Sequence, residues 1–284
     1  MKITTRKKGN KKYFYLKHSV RKGKKIITKE KYLGTEVPSN FKEIESKFGE
    51  EFQEEITNKL ESIKKHFQIE WKRIPESVKE KELEEISIAF TYNTNAIEGS
   101  TITLEEAREI IHDKISPNKS LQDVKETESH SKVFLQMLKK DEKITNELLL
   151  QWHKNIFENV KPDIAGKYRD YLVRVGSYLA PDWQEVKKMM SELIAFIYDN
   201  KKMNSVELSA RAHYRFEKIH PFGDGNGRIG RLMMNHILWH NGYPMLIIEY
   251  KKRLSYYKAL QKDEEYFVKY FIRRYFVAYK KRIS

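Results

Sequence analysis

Between Ile219 and Arg231 the chain reads IHPFGDGNGRIGR, and this segment holds most of the chemistry its residue types can offer. His220 is a base that titrates near neutral pH, Asp224 a hard oxygen ligand and Asn226 an amide, while Arg228 and Arg231 carry guanidinium groups. The glycines among them, Gly225 and Gly227 above all, allow a tight turn. A glycine-rich turn that runs into a helix N-terminus aims several N–H groups and the positive end of the helix at one point. Such a point binds anions, phosphate foremost. Asp224 and Asn226 would also serve as plain turn residues. Two arginines in a first helical turn oppose the dipole, however, and need an anion to justify them.

Two decoys lie nearby. Gly225-Asn-Gly227-Arg-Ile-Gly230 matches G-x-G-x-x-G, and Glu249 stands about where a dinucleotide fold would place its ribose carboxylate. That fingerprint requires a preceding strand. Here Leu208, Ala212, Phe216 and Ile219 repeat at helical intervals instead. No Lys-Ser/Thr follows the glycines, so a Walker A loop is excluded. His236 and His240 have an i, i+4 spacing but lack the adjacent glutamate of a zinc helix, and read as helix-surface or core histidines.

The segment from His220 to Arg231 resembles the signature of the Fic family, HxFx(D/E)GNGRxxR, at every specified position. The resemblance covers about residues 80–275. It implies a helical bundle with a β-hairpin flap over the loop, and Mg²⁺-dependent transfer of AMP from ATP to a Ser, Thr or Tyr hydroxyl of a target protein, self-modification included. On that pattern His220 is the general base and Asp224 the metal ligand. Gly225, Asn226, Gly227 and Arg228 stabilise the phosphates, and Arg231 grips the γ-phosphate. Gly166–Pro181 stands where the family has its flap, with Val173, Val175 and Gly176 as the target-docking residues. Gly242–Pro244 and Arg253–Leu260, including Tyr257, resemble its adenine side, where Glu264 replaces a frequent asparagine. Glycine at 227 favours adenylyl transfer over Doc-like phosphorylation, because a side chain there would fill space the phosphates need.

Thr94-Asn-Ala-Ile-Glu98-Gly99 matches the family's inhibitory signature, (S/T)xxxE(G/N). A carboxylate at a helix C-terminus is locally unfavourable and calls for a cationic partner. The resemblance names Arg231. Occupied by Glu98, its fork would be closed to the γ-phosphate. The same residues in reverse, with Glu98 orienting a water, would remove AMP, and the sequence leaves direction open. A plain surface glutamate before a helix-stopping glycine is the structural alternative.

The elements that must position these groups are mainly helical. Leu83, Ile86, Phe90 and Ile97 share a helix face. Thr103-Leu-Glu-Glu106 is a capping box opening a helix through Ile115. Further helices are expected at Phe41–Trp71, Val124–Lys140, Thr145–Glu158, Asp182–Asp199, Ser205–Ile219, Arg228–Asn241 and Leu254–Lys281. Tyr171, Val173 and Val175 alternate before Gly176, which predicts the short hairpin within Gly166–Pro181. Three regions are expected: 1–40, a basic β-hairpin; 41–120, helices with the inhibitory motif; and 121–284, the catalytic core.

Charge isolates the first of these. Of 284 residues, 55 are Lys or Arg and 40 Asp or Glu, a net charge of +15. Residues 1–36 alone contribute +11, which leaves an ordinary body. Lys12–Val20 and Ile26–Leu33 read as strands joined by a turn at Arg21–Lys25. A lone hairpin is marginal, so a third strand near Lys2–Thr5 or the helical body must support it. Two readings stay open: contact with nucleic acid or another acidic partner, as in a nucleic-acid-binding regulator, or a solvated edge whose lysines discourage aggregation. There is no cysteine, hence no disulfide or cysteine zinc site. With no apolar segment behind the basic start and no membrane-length apolar run, a cytoplasmic protein without membrane contact is expected.

Overall fold

Side chains on an extended backbone alternate between two faces, and the N-terminal segment is sorted in this way. In the computed structural model, which describes residues 1–22 and 25–283, β1 (Lys2–Lys8), β2 (Lys11–Lys22) and β3 (Lys25–Gly34) form an antiparallel sheet with β2 central. β1 is the supporting strand that the basic hairpin needs. Gly23 and Lys24 of the expected turn lie outside the described residues. Leu16 pairs across the sheet with Ile3 and Lys31. Together with Leu33 it buries against Phe48 of α1 (Phe41–Arg73), flanked by Phe14, Phe41 and Ile44. Leu16 has no exposed surface, and burial of such a side chain stabilises by about 2 kcal/mol. Leu16→Ala is therefore the substitution that most directly loosens the sheet from its helix. On the same face, Lys29 and Lys31 of β3 pair with Glu55 and Glu51 of α1.

Two compact units divide the chain, residues 1–63 with 276–284, and residues 64–275. The second holds α2 (Glu76–Ile97), α3 (Leu104–Arg108), α4 (Leu121–Lys139), α5 (Asn146–Phe157), the hairpin β4 (Arg174–Val175) and β5 (Tyr178–Leu179), α6 (Trp183–Asp199), α7 (Ser205–Ile219), α8 (Asn226–His240) and α9 (Arg253–Leu260). Their starts follow from capping side chains. Ser120, Thr145, Asp182 and Asn204 each accept a backbone N–H bond of 3.0–3.1 Å, opening α4, α5, α6 and α7. The capping box at α3 is formed: Glu106 N–H donates to Thr103 at 3.2 Å, and Thr103 N–H to the Glu106 carboxylate at 2.8 Å.

The expected single helix over Leu254–Lys281 is broken. α9 ends at Leu260 and α10 runs Glu264–Ala278. Asp263 accepts from Tyr266 N–H at 2.8 Å, restarting the backbone as a new first turn. The helix through Ile115 also ends differently. Beyond α3, Glu109–Asp113 winds as one π-helical turn and Lys114 closes it in the left-handed region.

α8 is the axis of the bundle. Each residue from Asn226 to Leu238 is buried, as expected of a helix enclosed on all sides. Phe216 and Ile219 of α7, Phe157 of α5, Met190 of α6 and Phe134 of α4 share one core with Ile229, Leu232 and Met233. Phe134 stacks on Phe90 of α2 at 4.5 Å. The loop before α8 is thereby fixed from every side. Among the described residues no helix is long and apolar enough to cross a membrane.

Candidate active site

α7 stops at Ile219, and His220 follows in the left-handed region (φ 51°, ψ 60°). A non-glycine residue there is strained by about 1–2 kcal/mol, so its surroundings must hold it. Arg169 does so. Its Nε donates to the His220 carbonyl at 2.8 Å, Nη1 to that of Tyr171 at 2.8 Å, and Nη2 to that of Pro181 at 2.6 Å. One guanidinium thus joins both ends of the flap segment to the turn that carries the imidazole. Burial pushes the His220 pKa down, opposed by the Glu217 backbone carbonyl and the charge of Glu98. The ring is therefore neutral at pH 7 and free to accept a proton.

The loop closes on itself through Asn226. Its Oδ1 accepts from Phe222 N–H and its Nδ2 donates to the Phe222 carbonyl, both at 2.8 Å. The amide expected at the phosphates is therefore engaged in shaping the loop, because a chain turning within four residues must satisfy its inner peptide groups. Gly225 caps α8 at φ 78°, where an added Cβ would strike the Phe157 ring. His153 supports the turn from α5. Its Nδ1 accepts from Gly166 N–H at 2.9 Å, so the proton sits on Nε2, which donates to the Asp224 carbonyl at 3.0 Å. Burial lowers its pKa to about 4 and keeps that tautomer neutral.

Asp224 stands at the centre of an ion cluster. Lys161 donates to Oδ2 at 2.5 Å, Gly225 N–H to Oδ1 at 2.5 Å, and Arg228 lies 3.4 Å from Oδ1. Burial works against its charge, but Arg228 and Lys161 outweigh that and hold its pKa below the ordinary value. Arg228 is buried against Glu126 of α4, which Lys161 also approaches at 3.4 Å.

Arg231, one turn further along α8, is 1% exposed. Its Nε donates to Thr94 Oγ1 at 2.6 Å, and its Nη2 to the Thr94 carbonyl at 3.1 Å and to Glu98 Oε1 at 2.6 Å. The arginines that seemed misplaced in a first turn thus meet carboxylates brought from α2 and α4. Gly227 explains how Glu98 reaches this place: a Cβ at Gly227 would collide with its carboxylate and lie 2.8 Å from Arg231 Nη1. Gly99, at φ 97°, turns the chain away from α2 directly after it. Tyr257 of α9 donates its hydroxyl to the Ile97 carbonyl at 2.8 Å, gripping the same helix end. Behind Arg231, Glu217 is mostly buried, with its side chain 13% exposed, and burial raises its pKa to about 8, with Arg231 opposing and Glu98 reinforcing the shift. At pH 7 Glu217 is neutral, which leaves the Arg231 charge to Glu98.

The hairpin of β4 and β5 pairs Arg174 with Leu179 and Val175 with Tyr178, around Gly176 at φ 59°. Val173 accepts from Ala180 N–H at 3.0 Å, and Tyr178 donates to the Lys218 carbonyl at 2.8 Å, which anchors the flap to α7. Val175 and Leu179 are exposed. Glu264 is held by Arg211 at 2.8 Å and Arg215 at 2.9 Å rather than standing free to read a base. Glu249 pairs with Lys251, and the glycine loop follows a helix, so the dinucleotide reading has no support. His236 packs on Trp152, and His240 bonds the Met137 carbonyl.

Residues 143–238, which contain α5, the flap, α7 and most of α8, match the family model described as Fic/DOC family. The chain carries a Fic domain. Among curated proteins, "Protein adenylyltransferase Fic" of Nematostella vectensis is 34% identical over 189 residues, covering 64% of this chain and 44% of that protein. Its namesake in Culex quinquefasciatus is 31% identical over 201 residues, 66% of this chain and 39% of the relative. The chain spans less than half the length of these relatives. A Fic domain-containing signaling protein from Bacteroides thetaiotaomicron superposes with a TM-score of 0.68 at 25% identity, over 80% of this chain and 96% of the other. Fic-1 of Caenorhabditis elegans shares the fold, with a TM-score of 0.69 at 24% identity over 83% and 72% of the two chains. The glycine-rich loop and the Thr94–Gly99 segment, 133 residues apart at Glu98 and Arg231, come together in one site.

Several residues of that site carry no motif of their own. Arg169, His153, Lys161, Glu126 and Glu217 act on backbone carbonyls or on motif residues distant in sequence. Of these only Glu217 gave a hint, as a charged residue one turn before His220 in a helix that packs on α8.

Proposed function

We propose that this Fic domain transfers AMP from ATP to a hydroxyl side chain of a protein and is restrained by Glu98 acting on Arg231. The observation that carries the reading is the Glu98 carboxylate lying over Gly227 and bonded to Arg231 at 2.6 Å. An anion is already favoured at this helix N-terminus, and a phosphate group satisfies the same donors. In the transfer, the target's hydroxyl oxygen attacks the α-phosphorus, the bond to the bridging oxygen breaks, and pyrophosphate leaves. Neutral His220 takes the hydroxyl proton. Loop N–H groups from Asn226 to Arg228, with the Arg228 charge behind them, stabilise the phosphate oxygens. Arg231 binds the γ-phosphate once Glu98 withdraws, aligning the α-phosphate for attack from the His220 side. The flap offers its edge at Val173–Gly176 to an extended target segment.

Magnesium fits the donor set. Among the described residues no cluster of three metal-ligating side chains exists, but Mg²⁺ is commonly held by one or two carboxylates together with substrate phosphates and water. Asp224, with a side chain 41% exposed, is such a carboxylate. The ion would neutralise phosphate charge, and Lys161 would have to leave Oδ2 to admit it.

The test is intact mass and α-³²P labelling of the wild-type chain and Glu98→Gly after incubation with ATP and Mg²⁺. The expected result is a gain of one AMP, stronger in the variant and absent in His220→Ala. Phosphate addition instead of AMP, or none with any variant, would overturn the reading.

A further inference from the structure

The outer face of the N-terminal sheet has no place in the reaction above. From the register, Lys2, Arg6 and Lys8 of β1 stand across from Lys17, Tyr13 and Lys11 of β2, while Tyr15 stands across from Tyr32 of β3. By the alternation of side chains these residues share the face opposite Leu16. Tyr32 is 54% exposed, with its ring 5.3 Å from Tyr15 and 6.2 Å from Tyr13. The Arg6 guanidinium lies over the Tyr15 ring at 4.7 Å.

Two features separate this face from a merely solvated one. First, ion pairing differs between the faces at β3, although Lys7 and Lys12 also stand across from each other on the helix-facing side. Lys29 and Lys31, on the helix-facing side, have Glu55 and Glu51 as partners. Among the described side chains of the outer face the acidic residue is Glu30, shared between Arg6 at 2.5 Å and Lys17 at 3.6 Å, against five cations. Second, the excess is not confined to the edges. Lysines that protect against aggregation belong on edge strands, yet Lys11 and Lys17 lie on central β2. There they sit directly across from Lys8 and Lys2, an arrangement that destabilises a sheet through like-charge repulsion. An anion over the face turns that repulsion into attraction. Along each strand the cations and rings recur about every 7 Å, and flat rings between charges suit alternating bases and phosphates. An acidic peptide would match the charges and leave the tyrosines without a role, and a duplex hides the faces of its bases.

We infer that this sheet face binds a single-stranded nucleic acid, with Lys2, Arg6, Lys8, Lys11 and Lys17 on phosphates and the cluster around Tyr32 stacking on bases. The experiment is fluorescence anisotropy of the full chain with a labelled oligothymidylate of about twelve nucleotides, titrated from low to moderate salt. A duplex of equal length and poly-glutamate serve as competitors. Binding should weaken with salt, and Lys11→Gln should flatten the slope of log K against log salt by about 0.7, the share of one phosphate contact. Tyr32→Ala should weaken binding about tenfold with the slope unchanged, and Tyr32→Phe should restore it. Tyr32 is exposed and outside the Fic domain, so both variants should retain wild-type circular dichroism and AMP labelling. The inference is overturned if no salt-dependent binding occurs, if Tyr32→Ala binds as the wild type does, or if the duplex or poly-glutamate competes as well as the single strand.

Discussion

Glu98 ends α2 and Arg231 lies in the second turn of α8, and their 2.6 Å contact fills the space that Gly227 leaves open. The pair joins a carboxylate poorly placed at the C-terminus of its own helix to a buried guanidinium that needs an anion, and each meets the other's need. Burial disfavours the Arg231 charge, but its neighbours, the Glu98 carboxylate first among them, outweigh it and raise the pKa.

Removal of the carboxylate should release the site. A charge-assisted hydrogen bond is worth about 1.5–3 kcal/mol, so Glu98→Gly should raise AMP incorporation by about ten- to a hundredfold. Radiolabel counts at subsaturating ATP measure this, and equal incorporation in the two proteins would count against the brake.

Gly227→Ala tests the steric side of the same contact. The new Cβ would displace Glu98, and the variant should lose about 1–2 kcal/mol in urea unfolding, in the range of overpacking. In a Glu98→Gly background the loss should shrink. A full loss in both backgrounds would mean that the methyl group clashes with Arg231 or the loop instead.

Lys161 competes for the oxygen a metal would use. Lys161→Met should lower the Mg²⁺ concentration for half-maximal labelling by about threefold or more, the scale of a surface-accessible ion pair of about 1 kcal/mol. Asp224→Ala should abolish the metal response. An unchanged Mg²⁺ dependence in Lys161→Met would remove the competition from the scheme.

Stability should peak between two titrations. Burial raises Glu217 from 4.5 to about 8, so the stability it lends is fully present below about pH 4.5 and is lost as pH rises through 8. Burial lowers His213 to about 3 and His153 to about 4, so their contribution is present above pH 6.5 and is lost as pH falls. Thermal melts from pH 4 to 9 should show both arms. Glu217→Gln should flatten only the alkaline one, and an alkaline arm that persists in this variant would assign it to another group.

Where chemistry was compressed into one segment, the sequence was easy to read. The turn from His220 to Arg231 and the motif from Thr94 to Gly99 were both evident, because each places its groups on adjacent turns. Helices α4 to α8 announced themselves through periodicity and through capping residues such as Ser120 and Asp182. Arg169 gave no such signal, since its partners are carbonyls, which every residue has. The bonds of Asn226 to the Phe222 peptide groups were not legible either, because a signature records which residue is present and not what its amide touches. The break after α9 was marked by Asp263 before two glutamates, an N-cap pattern hidden inside an otherwise continuous apolar repeat.

The four carbonyls around Arg169 give the molecule a mechanical property. Tyr171 and Pro181 bracket the hairpin that would receive a guest strand, and His220 belongs to the same clamp. A tug on that hairpin loads the strained peptide beneath the imidazole. If the hairpin receives a target strand as proposed, a displaced guest would pull on the same guanidinium that holds the His220 carbonyl, which ties docking to the position of the base.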